Sequence, residues 1–187
     1  METTKTNHHL RKKHESIKIN SSNYEREENQ FAITIKKSPT EIYSFFRDFT
    51  NLPRFMKDLK EVNILSPLRS KWTVNLSLGP TVSWDAEIIH DIPGESIGWK
   101  SLDDSEVKTK GKIRFLSAPA GKGSIVLLSM DYSVPGGKPV EWLTKLKGED
   151  PHTLVLTNLK RLKALLETGE IPTTEGQSSG REPVELH

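Results

Sequence analysis

The stretch Asp150-Pro151-His152-Thr153-Leu154-Val155-Leu156-Thr157-Asn158-Leu159-Lys160-Arg161-Leu162-Lys163-Ala164-Leu165-Leu166-Glu167-Thr168-Gly169 decides the fold. Val155, Leu159, Leu162 and Leu166 recur at helical spacing, and Leu165 widens the apolar stripe. Lys160, Arg161 and Lys163 take the other face. Pro151 suits a first helical turn, where an amide has no intrahelical partner, and Asp150 is the candidate cap. Gly169 is a natural stop. At about 1.5 Å per residue this helix spans roughly 27 Å, enough to lie across a whole sheet.

Upstream the pattern changes to period two. Phe31, Ile33 and Ile35 alternate with Ala32 and Thr34, predicting a first strand. Ser38-Pro39-Thr40-Glu41 then opens a helix, with Ser38 as cap and Glu41 three positions beyond it. Ile42, Tyr43, Phe45 and Phe46 form that helix's buried face. Asn51-Leu52-Pro53 is read as the start of a second short helix containing Phe55 and Met56.

Strand signals follow in series. Val62 and Ile64 make one, and Trp72, Val74, Leu76 and Leu78 the next. Trp84, Ala86, Ile88 and His90 alternate with Asp85, Glu87 and Ile89 up to the Pro93-Gly94 turn. Ile97 and Trp99 belong to another strand. Val107, Thr109, Gly111, Ile113 and Phe115 alternate with Lys108, Lys110, Lys112 and Arg114. Val126, Leu128, Met130, Tyr132 and Val134 close the run. Short turns and strict alternation indicate an antiparallel sheet with one apolar and one wet face. Helices grouped at both ends of the strand run make the fold class α+β. The expected architecture is a curved sheet of six or seven strands around the long C-terminal helix, with space between them for a guest.

Composition narrows the chain to one domain. Of 187 residues, 1–30 and 172–187 have few core formers and read as disordered tails around a domain at 31–171. Phe31 to Glu170 carries 20 basic and 17 acidic side chains, a weak charge for a nucleic-acid binder. There is no cysteine, hence no disulfide and no thiolate metal site. No apolar run approaches the ~20 residues that cross a bilayer, and no signal peptide opens the chain. The reading is a cytoplasmic protein that needs no cofactor or metal and binds no nucleic acid.

These residues together resemble the START-like (SRPBCC) superfamily with the helix-grip fold. The resemblance is to the bacterial polyketide cyclase/dehydrase and coenzyme-Q-binding START-type group. It is carried by Phe46-Arg47-Asp48-Phe49, Asn51-Leu52-Pro53-Arg54-Phe55-Met56 and Trp84-Asp85-Ala86-Glu87-Ile88. It continues through Pro93-Gly94-Glu95, Ile97-Gly98-Trp99-Lys100-Ser101 and Gly111-Lys112-Ile113-Arg114-Phe115. Pro135-Gly136-Gly137, Gly148-Glu149-Asp150-Pro151 and Glu167-Thr168-Gly169-Glu170-Ile171-Pro172 complete it. What the resemblance implies is a cavity between sheet and terminal helix that takes apolar small molecules, among them lipids, isoprenoid quinones and aromatic polyketides. Fold similarity does not choose among these.

Trp72, Trp84, Trp99 and Tyr132 sit at apolar parities and are the candidate walls of that pocket; ordinary core packing is the plainer reading. Phe45, Phe49, Phe55 and Met56 are placed at one mouth, and Ile113, Phe115 and Leu159 complete the expected lining. His90 shares parity with Trp84, so it and Tyr132 are the weak candidates for proton transfer. A histidine bonded at the rim is the simpler account of His90, and a surface position that of His152. Asp85 and Glu87 face away from the indoles, where cross-strand pairing with Lys or Arg explains them. The stripe Lys108, Lys110, Lys112 and Arg114 reads as a solvated outer face, with peripheral contact to an anionic membrane as the sharper alternative. Pro135-Gly136-Gly137-Lys138-Pro139, followed by Val140, Leu143 and Leu146, is a candidate lid, with Trp142 turned outward. No nucleophile elbow, phosphate loop or paired metal-binding histidines are present. The leading expectation is therefore binding or carriage of a hydrophobic small molecule. The alternatives are a cyclase/dehydrase-like enzyme and a membrane-associated interaction module.

Overall fold

The long terminal helix forms where its stripe predicts. The computed structural model describes residues 30–75, 81–105, 107–133 and 151–171. Its elements are β1 (Gln30–Ile35), α1 (Pro39–Arg47), a 3-10 helix (Phe49–Arg54), β2 (Leu59–Ile64) and β3 (Arg69–Val74). They continue with β4 (Val82–Ile92), β5 (Ser96–Ser101), β6 (Lys108–Ser117), β7 (Ser124–Ser133) and α2 (Pro151–Thr168). The expected tails, the lid segment and Trp142 lie outside the described residues.

All seven strands join one sheet in the order β1-β7-β6-β5-β4-β3-β2, each pair antiparallel. Strands β2 to β7 follow as neighbours, and the helical pair between β1 and β2 carries the chain from one sheet edge to the other. Local chemistry explains the crossover. Ser38 Oγ accepts from the Glu41 amide at 3.3 Å while Glu41 Oε2 accepts from the Ser38 amide at 2.9 Å. This reciprocal cap satisfies two donors that the helix cannot use internally. Asp48 then caps the 3-10 turn through the Thr50 amide at 3.1 Å. That turn ends at Arg54. The second helix therefore lies earlier than the sequence suggests: with Asp48 as its cap it begins at Phe49 instead of Asn51, and Phe55 and Met56 lie beyond it.

The core forms where the sheet's apolar face meets α1 and α2. Val155, Leu159, Leu162 and Leu165 of α2 are buried with Ile35, Ile42, Phe46, Ile97, Ile113 and Val126. At the helix end, Gly169 adopts φ 81°, and its amide donates to the Leu165 carbonyl at 2.9 Å. Only glycine takes that left-handed turn without strain. On the outer face Glu87 bridges Arg69 at 3.9 Å and Lys100 at 3.5 Å, the cross-strand pairing its parity implies. Lys110 and Lys112 are exposed, alternating with buried Thr109, Gly111 and Ile113.

Candidate functional site

Three of the predicted indoles converge. Trp72 and Trp84 are directly paired across β3 and β4, with ring centroids 6.1 Å apart and planes 28° from parallel. Trp72 also stacks on Trp99, at 6.3 Å and 19°. Its indole NH donates to Ser70 Oγ at 2.9 Å, so the ring's orientation is fixed within its own strand. Trp99 lies over Gly111 of the neighbouring strand: a Cβ built there would fall 2.3 Å from the indole Cζ2. The absent side chain is what lets Trp99 lie flat along the sheet. Phe49 backs the group edge-on, 5.5 Å from Trp72 and 5.9 Å from Trp99.

Between these rings and α2 is a cavity of about 70 Å³. Sheet residues Trp72, Trp84, Trp99, Thr109, Leu128 and Met130 form its floor. Leu154, Val155, Asn158 and Leu159 of α2 form the roof, and Phe46, Leu52, Phe55, Met56 and Leu59 close one side. Sites for drug-sized ligands run to roughly 300–1,000 Å³, so the space bounded by the described residues suits a compact molecule. A long isoprenoid tail needs the interior to open. Met56 and Met130 are the flexible wall members, able to change rotamer around an irregular guest.

Of the candidates read from sequence, Trp72, Trp84, Trp99, Phe55, Met56 and Leu159 line this cavity. Phe49 packs behind the indoles instead of facing the space. Phe45 is half-buried, with the Arg54 guanidinium 5.3 Å from its ring centroid. Ile113 and Phe115 are buried in the solid part of the core; Phe115 meets Phe46 and Tyr43 at 6.4 and 6.1 Å. The Tyr132 side chain lies outside what is described.

His90 does not face the cavity. The β4–β5 register shifts between Ile88 and His90, an irregularity that breaks the two-residue alternation. His90 is exposed, with Nε2 2.8 Å from Ser96 Oγ. His152 is also exposed, its ring 4.9 Å from that of Phe31. The one ionisable residue among the described lining is Asp58, half-buried in the turn before β2. Among the described residues no cluster of three His, Asp or Glu side chains is placed to hold a metal ion. No described helix is long and apolar enough to cross a membrane.

Sequence reasoning missed Asn158. Its side chain is only 9 % exposed, it lines the cavity, and its Oδ1 meets no hydrogen-bond donor among the described residues. The signal was present: position 158 falls three after Val155 and four before Leu162, on the buried stripe.

A second polar group joins Tyr43 and Arg47 of α1 to Asp91 of β4. Tyr43 donates from its hydroxyl to Asp91 Oδ1 at 2.7 Å, and Arg47 Nε donates to Asp91 Oδ2 at 2.7 Å. Arg47 also reaches the Pro67 carbonyl at 3.1 Å. Burial works against the Asp91 charge, but the bonds from Tyr43 and Arg47 outweigh it and hold the carboxyl below its ordinary pKa. Burial, followed by the bond to Asp91, raises the Tyr43 phenol. This network fastens α1 to β4 and to the β2–β3 turn.

Comparison with known proteins places the architecture. A Deinococcus radiodurans protein of known structure is 33% identical, with a TM-score of 0.62 over 75% of this chain and 97% of that one. A START superfamily protein from Mycobacterium smegmatis matches at TM-score 0.55 and 17% identity, covering 73% of this chain and 97% of its own. The Zhui aromatase/cyclase from a Streptomyces species matches at 0.57 and 13%, covering 75% and 95%. At those two identities the likeness is one of fold. A search of curated proteins finds no significant match. The profile of the family described as polyketide cyclase / dehydrase and lipid transport matches residues 35–160, from the end of β1 to the middle of α2, and the chain belongs to that family.

Proposed function

We propose that this protein binds a compact apolar molecule in the space between the three stacked indoles and α2. The observation that carries the reading is the lining: aromatic, aliphatic and methionine side chains, with the Asn158 carboxamide, the Thr109 hydroxyl and the Asp58 carboxylate as its polar members. Such a surface gains about 25 cal/mol for each Å² of apolar ligand area it covers, without any catalytic group. Among the described lining residues, no nucleophile is paired with a general base, which favours binding or carriage over the cyclase/dehydrase chemistry in the family's description. A lipid or isoprenoid quinone enters this reading only with enlargement of the cavity, for which Met56 and Met130 are the adaptable walls.

Native mass spectrometry of the protein purified from its own host tests the proposal. The expected result is a bound mass of a few hundred daltons or less, released by organic extraction and neutral in charge. A ligand-free protein whose tryptophan emission ignores a panel of small aromatic and aliphatic molecules would overturn it.

A further inference from the structure

We infer that Asn158 is the point at which this site recognises its ligand, and that the ligand is an uncharged molecule bearing a hydroxyl or amine hydrogen. The inference rests on the binding reading above and adds the chemistry of the guest. The Asn158 carboxamide oxygen, in the wall of a cavity also lined by Val155, Leu159, Trp84 and Leu128, is closed off from solvent. Inside an apolar wall such an acceptor is costly unless a donor meets it. Among the described residues none does. A ligand O–H or N–H placed in the cavity supplies that donor.

The charge of the guest follows from the rest of the lining. Among the described lining residues there is no Lys, Arg or His to neutralise an anion, and Asp58 adds a carboxylate. A fatty acid or aromatic acid would bring a bare negative charge into a site whose described lining holds a second negative group and no cation. A phenol, alcohol or quinol brings a donor and no charge. An aromatic ring also matches the nearly parallel indoles of Trp72 and Trp99. Asn158 is thus assigned as a ligand-selecting residue, its bare oxygen favouring a guest that brings an O–H or N–H.

The test is a chemical-shift titration of the indole NH signals in the full-length protein with phenol, toluene and benzoate. Phenol and toluene have nearly the same shape, so their ratio isolates the donor. Phenol is expected to bind about tenfold more tightly than toluene, the value of one hydrogen bond to an otherwise unmet buried acceptor. Benzoate should give no saturable shift. Asn158→Leu should reverse the order, toluene then binding more tightly. Equal phenol and toluene affinities in the unaltered protein would overturn the inference while leaving the binding site standing, and so would benzoate binding as well as phenol. If none of the three binds, the proposed function itself falls. The wild-type comparison decides the matter even if the variant does not fold.

Discussion

The carboxylate of Glu167, in the last turn of α2, accepts a hydrogen bond from the backbone amide of Lys36 at 2.7 Å, joining positions 131 residues apart. The same oxygen takes the Lys163 ammonium at 2.7 Å. These bonds, Lys163 first and the Lys36 amide second, hold the Glu167 carboxyl below its ordinary pKa of 4.5. A carboxylate with a lowered folded pKa stabilises at every pH above its unfolded value and loses that contribution as pH falls through the folded one. Glu167→Gln should therefore cost about 1–2 kcal/mol at pH 7, a range reduced for the partly exposed Lys163. Urea melts should show the two proteins converging below about pH 4.5. A gap that stays constant into acid would contradict this account.

Tyr43 and Arg47 share Asp91, so their contributions should not add. Tyr43→Phe removes one bond to a charged acceptor and is expected to cost about 1 kcal/mol. Combined with Asp91→Asn, the loss should fall short of the sum of the single changes by at least about 0.5 kcal/mol. A double-mutant cycle from denaturant melts measures it. Strict additivity would mean the network seen at α1 is not energetically coupled.

Gly111→Ala should destabilise by about 1–3 kcal/mol, the usual cost of overpacking. The added methyl would meet Trp99 Cζ2 and Cε2 at 2.3 and 2.5 Å, so the indole must leave its place over β6. Because that ring is also the cavity floor, the near-ultraviolet circular dichroism should change along with stability. An unaltered aromatic spectrum would show that the ring is not seated on Gly111.

Asn158→Leu should raise the stability of the ligand-free protein by about 1–3 kcal/mol, since a buried acceptor with no donor is removed and apolar volume is kept. Thermal melts of delipidated protein read this directly. A drop in stability would mean Asn158 holds the core together rather than waiting for a guest.

Much of the fold was legible because its signals are local. Ser38 and Glu41 announce α1, the Lys108 to Phe115 alternation announces β6, and the Val155 to Leu166 stripe with Gly169 announces α2. What escaped the sequence depended on neighbours. The fate of His90 turned on a register shift beside Ile88, and a single displaced residue moves a side chain to the other face. Phe49, Ile113 and Phe115 have the right polarity for a pocket wall, but only packing decides which aromatic faces a void and which fills the core. The clearest omission was of the opposite kind. Asn158 was passed over because the stripe was judged by its leucines, although a carboxamide on a greasy face is the more informative symbol.

The pairing of β1 with β7 has a consequence for how the chain is made. Gln30 lies opposite Ser129, so among the described residues β1 meets its strand partner only after nearly a hundred further positions. Contacts so distant along the chain carry a loop-closure cost and slow folding. During synthesis the β1 backbone emerges from the ribosome well before β7, and the groups that pair with β7 wait until that strand has been translated. Premature termination anywhere before Ser124 therefore leaves a sticky strand rather than a smaller working protein.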